Sequence, residues 1–269
     1  MKIGIIVNES KIENREIVTN FVSLLESQNH TCFVFAQNED INAVDVLIVL
    51  GGDGAILHSA IFAAQKNIPI IGINYGNLGF LAEYTRDETE RVVELLDRFE
   101  KGDCHVLQRS VLEVCANGEI YYALNEVGIQ RDCAAHSVSG GQILKASICI
   151  ANECHEVAGD GLLICTPTGS TAYSLSAGGA VLFPDAPVFM LTQLCSLSLH
   201  SRPVVFSDKE EVTVKIDKGF SMLVIDGRVV GRLQDNEGIT VKKANFSADF
   251  PMNQKSVFLK KIKSKLSKL

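Results

Sequence analysis

Apolar positions in the first hundred residues fall into short runs and helical stripes that follow one another in turn. Ile3–Val7 is a compact apolar run and predicts a strand; Ile17, Phe21, Leu24 and Leu25 then share one face of a helix spanning about Glu13–Gln28. Cys32–Phe35 and Val44–Leu50 predict further strands. The second is almost wholly apolar, as in strands of a parallel sheet covered on both faces. The glycine-rich turn Gly51–Gly54 interrupts it, and an apolar helix follows to about Ala64. Ile68–Ile73 predicts another strand. Asp87–Phe99 predicts a helix with acidic residues in its first turn and Val92, Val93, Leu95, Leu96 and Phe99 behind. This β-α-β-β-α-β-α order predicts a doubly wound, Rossmann-like α/β domain over residues 1–102.

Past Lys101-Gly102-Asp103 the period shortens and strands dominate, so residues 103–250 are expected to be mainly antiparallel β. Asn117-Gly118 between Val111–Cys115 and Glu119–Ala123 is a hairpin signal. Glu210–Asp217 alternates charged and apolar positions. The one interruption, Ser170–Gly178, is small and polar and is expected to open a short helix. In the last stretch, Lys255–Leu269, Phe258, Ile262, Leu266 and Leu269 recur at helical spacing beside six lysines. It reads as a terminal helix that docks its apolar stripe and leaves its lysines in water.

Composition narrows the class. The 269 residues are 46% hydrophobic and 21% charged, enough apolar material for proper cores. A net charge of −7 argues against a general nucleic-acid binder, which is usually basic. No apolar stretch approaches the roughly 18 residues of a membrane span, and the first apolar run is too short for a signal peptide. A cytoplasmic protein is expected, with no nucleic-acid and no membrane partner. The eight cysteines are therefore read as reduced thiols. No C-x-x-C occurs, and Cys154-His155, with Cys149 five residues before Cys154, is poorly placed to share one ion.

Three clusters carry chemistry. Gly51-Gly52-Asp53-Gly54 follows a buried strand and opens a helix, the place where open α/β sheets hold ligands. Its glycines would let backbone N–H groups approach phosphate oxygens at the positive end of the helix. Asp53 repels anions there, and makes sense as a metal ligand or as the acceptor of a hydroxyl proton; the bland alternative is a capping Asp. No Walker A motif is present, and Leu57 stands where G-x-G-x-x-G needs its third glycine. A second glycine-rich loop, Asn74-Tyr75-Gly76-Asn77-Leu78-Gly79-Phe80-Leu81, follows the next strand; Phe80 there either stacks on a base or plugs the core. Asn125-Glu126 puts an amide and a carboxylate inside a β run, able to read an adenine edge and accept from ribose hydroxyls, or simply solvated. Finally, Asp160 leads through Leu162–Cys165 to Thr166-Pro167-Thr168-Gly169-Ser170-Thr171-Ala172-Tyr173-Ser174-Leu175-Ser176-Ala177-Gly178-Gly179. So many Ser and Thr compete with the helix for backbone bonds, and together with the Tyr ring they read as a nucleotide site.

In this order and spacing the clusters resemble the NAD kinase family over roughly residues 44–232. The GGDG turn is shared with lipid kinases and phosphofructokinases, whereas the TPTGSTAYSLSAGG run is much more specific. The resemblance implies an N-terminal α/β domain, a C-terminal β-sandwich with an NAD site between them, and a last segment (251–269) that returns to the first domain. It implies transfer of a phosphoryl group from ATP, with a divalent cation (Mg²⁺), to the 2′-hydroxyl of the adenosine ribose of NAD. Some relatives use polyphosphate. Asp53 would accept or orient the hydroxyl proton. Gly54, Thr171, Ala172, Tyr173, Ser174, Leu175 and Ser176 would bind the dinucleotide, with Tyr173 stacking near it. Asn125 and Glu126 would fix base and ribose, and Asp160 would contact the substrate. His58, Asn74, Phe80 and Thr168 join the candidate substrate-binding set. His136 and the segment around Ala158 would serve a neighbouring subunit in a homo-oligomer, a dimer or tetramer with shared active sites. Ala55, Ala158 and Arg228 depart from the family's commonest residues, Thr, a basic residue and Gln, and the last two border the substrate. Two other readings remain: a GGDG-type lipid kinase, disfavoured by the hydroxyl-rich motif, and a non-catalytic NAD(H) sensor that could dispense with Asp53.

Overall fold

Two stretches of chain, 1–108 with 248–269 and 109–247, form two compact units in a computed structural model. It describes residues 1–8, 12, 15–36, 38, 41–76, 79–134, 143–253 and 258–266. Asn77, Leu78 and His136 lie outside the described residues.

The first unit begins β1 (Lys2–Val7), α1 (Arg15–Ser27), β2 (Thr31–Phe35), β3 (Val46–Gly51), α2 (Asp53–Gln65) and β4 (Ile70–Asn74). The two-residue β5 (Tyr84–Thr85), which the hydropathy pattern does not announce, and α3 (Thr89–Glu100) follow. The strands form one parallel sheet in the order β2-β1-β3-β4-β5. Every residue of β3 and β4 is buried, as the apolar run of β3 foretold. Phe21 and Leu25 of α1 and Val92, Leu95 and Leu96 of α3 pack with Ile3, Ile5, Val46, Ile48 and Ile71 on one face. Helix α2 lies on the other face, so close that a Cβ on Gly72 would stand 2.4 Å from Ile56 Cδ1. The sheet is doubly wound because its strands are apolar on both sides and need a helix layer on each.

The second unit is built from β6 (His105–Ala116), β7 (Glu119–Ala123), β8 (Glu126–Arg131), β9 (Leu144–Ile150), β10 (Glu153–Gly159) and β11 (Gly161–Cys165). After a 3₁₀ turn at Gly169–Thr171 and the one-turn helix α4 (Tyr173–Ser176) come β12 (Val188–Leu194), β13 (Val204–Ser207) and β14 (Val212–Lys218). Strands β15 (Ser221–Ile225), β16 (Arg228–Leu233) and β17 (Gly238–Met252) complete it. Strands β6 and β17 continue into the first unit, as does α5 (Phe258–Leu266). Two six-stranded sheets, β10-β9-β14-β17-β6-β7 and β13-β12-β11-β8-β15-β16, share a core of Leu112, Ile148, Val214 and Val241 from one and Ile129, Leu162, Phe189 and Leu223 from the other. This is a β-sandwich. The Asn117-Gly118 turn has both residues at positive φ and joins β6 to β7 with Ala116 opposite Glu119, as the dipeptide required.

One expectation is corrected. Cys149 and Cys154 are not reduced thiols: they are joined by a disulfide, with Cα atoms 4.0 Å apart. The tight turn Ala151-Asn152, both at positive φ, places the two residues directly opposite on β9 and β10. Cross-strand partners share a face, a geometry that the adjacent pair Cys154-His155 does not offer.

Candidate functional site

In the first unit the site grows from the carboxyl ends of β3 and β4. Gly52 caps α2 in extended conformation and Asp53 is the first helical residue. A Cβ on Gly52 or Gly54 would meet nothing within 4 Å, so both present bare backbone to open space. The Asp53 carboxylate turns to the second glycine-rich loop. It accepts hydrogen bonds from the backbone N–H groups of Phe80 (2.5 Å), Leu81 (3.2 Å) and Ala82 (3.4 Å). Gly79 makes this approach feasible: a Cβ there would lie 1.6 Å from Asp53 Oδ1. A carboxylate offers about four acceptor positions, so three bonds leave room for one further donor. The capping reading of Asp53 fails, since its bonds go to a different loop rather than to the first turn of α2.

Asn74, at the end of β4, lies beside Gly51 and accepts from the Gly76 N–H at 2.8 Å, so it shapes the same loop. Phe80 is half-buried: its ring packs against Phe258, and the Lys265 ammonium stands 4.3 Å above its centroid. Helix α5 is tied to this loop again by Lys261, which donates to the Ala82 carbonyl at 2.7 Å and pairs with Glu83 at 3.0 Å. His58 is exposed on α2 beyond Asp53, edge-on to Phe62.

In the second unit β8 and β11 bring two motifs together, with Glu126 opposite Cys165. The Thr166 hydroxyl donates to the Leu124 carbonyl at 2.5 Å, and a Cβ on Gly169 would meet the Asn125 carbonyl at 2.1 Å. The TPTGS turn therefore lies directly on the Asn125 corner. That corner is held from a third side by Asp226, whose carboxylate accepts from the N–H groups of Leu124 (2.9 Å), Asn125 (2.8 Å) and Glu126 (3.0 Å). Glu126 is 7% exposed, and its Oε2 has no hydrogen-bond partner. Burial first, and the nearby Asp226 second, push its carboxyl up to about 8. The solvated-edge reading of Glu126 is thus wrong. Burial also raises Asp226, against the pull of its three amide donors and Arg228. Arg228 itself is exposed at the start of β16.

Hydroxyls of the TPTGSTAYSLS run divide into two sets. Thr168, Ser170 and Ser174 are buried and engaged: Thr168 accepts from Arg109, Ser170 donates to the Pro167 carbonyl, and Ser174 bonds Thr192. These three shape the turn. Thr171, Ala172 and Leu175 are half-buried, while Tyr173 (44%) and Ser176 are exposed. Tyr173 and Ser176 line a cavity of about 480 Å³ with Arg131, Asp160, Gln193 and Cys195. Asp160 is paired with Arg131 at 3.1 Å. Ala158 sits in β10, its carbonyl accepting from the Leu197 N–H at 2.9 Å. Sequence reasoning singled out the loop that holds Gly79 but not the approach to Asp53 that Gly79 allows, and it missed the roles of Asp226 and Arg131. The Asp226-Gly227 turn was visible, but a fold alone reveals which backbone its carboxylate holds.

Among the described residues no three His, Cys, Asp or Glu side chains converge as a metal cage.

Comparison with known proteins decides the family. The models of the ATP-NAD kinase N-terminal and C-terminal domains match residues 32–104 and 125–251. The chain belongs to the ATP-NAD kinase family. It is 32% identical to the NAD kinase of Caldicellulosiruptor saccharolyticus over 269 residues, 99% of each chain. It is 33% identical to that of Methanothermobacter thermautotrophicus, covering 99% of this chain and 96% of the relative. Two solved structures share its fold. Yeast NADH kinase complexed with NADH has a TM-score of 0.84 at 23% identity, covering 99% of this chain and 87% of that one. An NAD kinase from Archaeoglobus fulgidus in complex with ATP has a TM-score of 0.79 at 24% identity, covering the whole of both.

Proposed function

We propose that the chain is an NAD 2′-phosphotransferase: it moves the γ-phosphoryl group of Mg–ATP to the 2′-hydroxyl of the adenosine ribose of NAD, giving NADP. Within the family frame, the observation that carries this is the Asp53 carboxylate, fixed by three amide donors at the carboxyl edge of the parallel sheet with one acceptor position left. Phosphoryl transfer passes through a loose transition state that asks for position and charge neutralisation more than for a strong base. Asp53 accordingly orients the 2′-hydroxyl and takes its proton late, as the new bond forms. Bare backbone at Gly52 and Gly54 suits phosphate oxygens. Asn125, beside the Asp226 clamp, reads the adenine edge of NAD. Glu126, carrying its proton near neutral pH, can both donate to and accept from a ribose hydroxyl. Tyr173 supplies a ring face, and Asp160 with Arg131 a polar wall.

A homo-oligomer is part of the same reading. Leu197, Leu199, Val204 and Val205 are exposed in one segment that includes the edge strand β13. The Leu197 bond to Ala158 ties β10 to that segment, which supports a contribution of the Ala158 region to a neighbour's site. Six free cysteines suit a reducing compartment such as the cytoplasm. No helix among the described residues is long and apolar enough to cross a membrane.

The test is NADP formation from NAD and ATP with and without Mg²⁺, tripolyphosphate replacing ATP in a parallel series. Metal-dependent NADP production is expected. Asp53→Asn should retain NAD binding by calorimetry and lose about a hundredfold or more in kcat. NAD binding by the unaltered protein without any NADP formation would select the non-catalytic sensor instead.

A further inference from the structure

Helix α5 comes from the far end of the sequence and packs on the loop that holds Asp53. Lys261 donates to the Ala82 carbonyl at 2.7 Å and to the Glu83 carboxylate at 3.0 Å. The Phe258 ring lies 6.4 Å from that of Phe80, centroid to centroid, with the Lys265 ammonium over the same Phe80 ring. The segment that receives these contacts is the one whose N–H groups, at Phe80, Leu81 and Ala82, donate to Asp53. The loop is thus held between two partners. Its amides turn to the carboxylate, while the Ala82 carbonyl and the side chains of Phe80 and Glu83 turn to α5.

Lys261 is the unusual member of this contact. A terminal amphipathic helix sends its lysine heads into water, and Lys260 and Lys263 are indeed exposed. Lys261 is 9% exposed, and the side chain of its partner Glu83 14%. Ordering a long side chain and stripping water from its charge both cost free energy. A buried ion pair gains little over an apolar contact of the same size, so stability alone does not account for it. What the pair does supply is a fixed geometry: two charge-assisted bonds from one ammonium to two consecutive residues. Geometry matters at this spot. The Ala82 N–H makes the longest of the three bonds to Asp53, at 3.4 Å, and is the first to be lost if the loop recedes. Ala82 is also the residue whose carbonyl Lys261 holds.

We propose that Lys261 is a positioning residue for phosphoryl transfer: from α5 it fixes the Ala82–Glu83 end of the loop and so keeps the Asp53 carboxylate aimed at the reacting hydroxyl. The inference rests on the kinase reading and extends its machinery to a helix residue 179 positions from Ala82. Lys261 acts through the loop and meets no reacting atom itself.

The experiment compares Lys261→Met with Leu25→Ala, each assayed at a temperature where circular dichroism shows it folded. Leu25 is fully buried on α1, and its truncation lowers stability without touching the loop. In Lys261→Met, kcat for NADP formation should fall about tenfold or more, with KM for NAD within about twofold. Leu25→Ala should keep kcat within about twofold despite its lower stability. An unchanged kcat in Lys261→Met, or a fall that Leu25→Ala reproduces, would overturn the proposal. Should Lys261→Met fail to fold, native-state hydrogen exchange on the unaltered protein decides. The amides of Phe80, Leu81 and Ala82 should open together with those of α5, at one shared free energy. Loop amides that stay protected while α5 exchanges freely would refute the link. Exchange needs no turnover. Linked opening in a protein that makes no NADP would sink the kinase reading and leave the coupling of α5 to Asp53 standing.

Discussion

Gly79 and Asp53 behave as one device although 26 residues separate them. The carboxylate reaches three amides of the 79–82 loop only because position 79 has no side chain. Gly79→Ala must expel the carboxylate or deform the loop, and a displacement of that size is expected to cost about a hundredfold in NADP formation. Calorimetric NAD affinity should change far less, because Asn125, Glu126 and Tyr173, proposed to hold its base and ribose, lie in the other unit. Glu126 gives a prediction of another kind. Its folded carboxyl, pushed up to about 8 from an ordinary 4.5, keeps its proton where the unfolded chain has released it. The folded state then binds more protons, so the contribution of Glu126 to stability is complete below about pH 4.5 and is lost as pH climbs through about 8. Gln at 126 does not titrate. The melting temperature of Glu126→Gln relative to the unaltered protein should therefore rise from about pH 5 to about pH 8, and a pH-independent difference would contradict the burial argument.

Elements were legible in proportion to how far local pattern determines them. The apolar run of β3, the periodic faces of α1 and α3 and the Asn117-Gly118 hairpin needed nothing beyond neighbouring residues. Strand β5 has two residues and exists only because β4 offers it an edge, so no period could reveal it. The hydroxyl-rich segment was half legible. Its composition marks a special loop, but only the fold separates Thr168, Ser170 and Ser174, which brace the turn, from Tyr173 and Ser176, which face outward. The terminal helix was legible as an amphipathic stripe, whereas its inward lysine was not. Lys261 is buried against the Ala82 carbonyl and the Glu83 carboxylate, in the loop that holds Asp53. Lys261→Met leaves Glu83 without that cation and should destabilise the protein by roughly 3 kcal/mol in urea unfolding. The smaller cost of an exposed lysine would show that α5 does not anchor the loop.

At the scale of the whole molecule, two chemistries were assembled from distant stretches of sequence. Asp226 stands a hundred residues from the backbone it clamps at Asn125-Glu126, and sequence spacing carries no trace of such a contact. The Cys149–Cys154 link was hidden for the opposite reason: composition and compartment argued for thiols, while hairpin register decided the pairing. Register also bears on assembly. Strand β13 pairs with β12 along one side and ends its sheet, with Val204 and Val205 half-exposed and Leu199, in the turn before it, 88% exposed. An apolar edge strand invites another strand, and natural proteins blunt such edges with charge unless the edge is used. The homo-oligomer proposed above would seat a second copy of the chain there, which pairs its own edge by symmetry. Val205→Glu places a charge on that edge without touching the shared core of the sandwich. Light scattering should then show the oligomer falling toward monomer, with thermal stability at high dilution unchanged. If Ala158 serves a neighbour's site, NADP formation should fall with the oligomer and recover as protein concentration rises. Activity independent of concentration, in a variant that is demonstrably monomeric, would mean that each chain completes its own site.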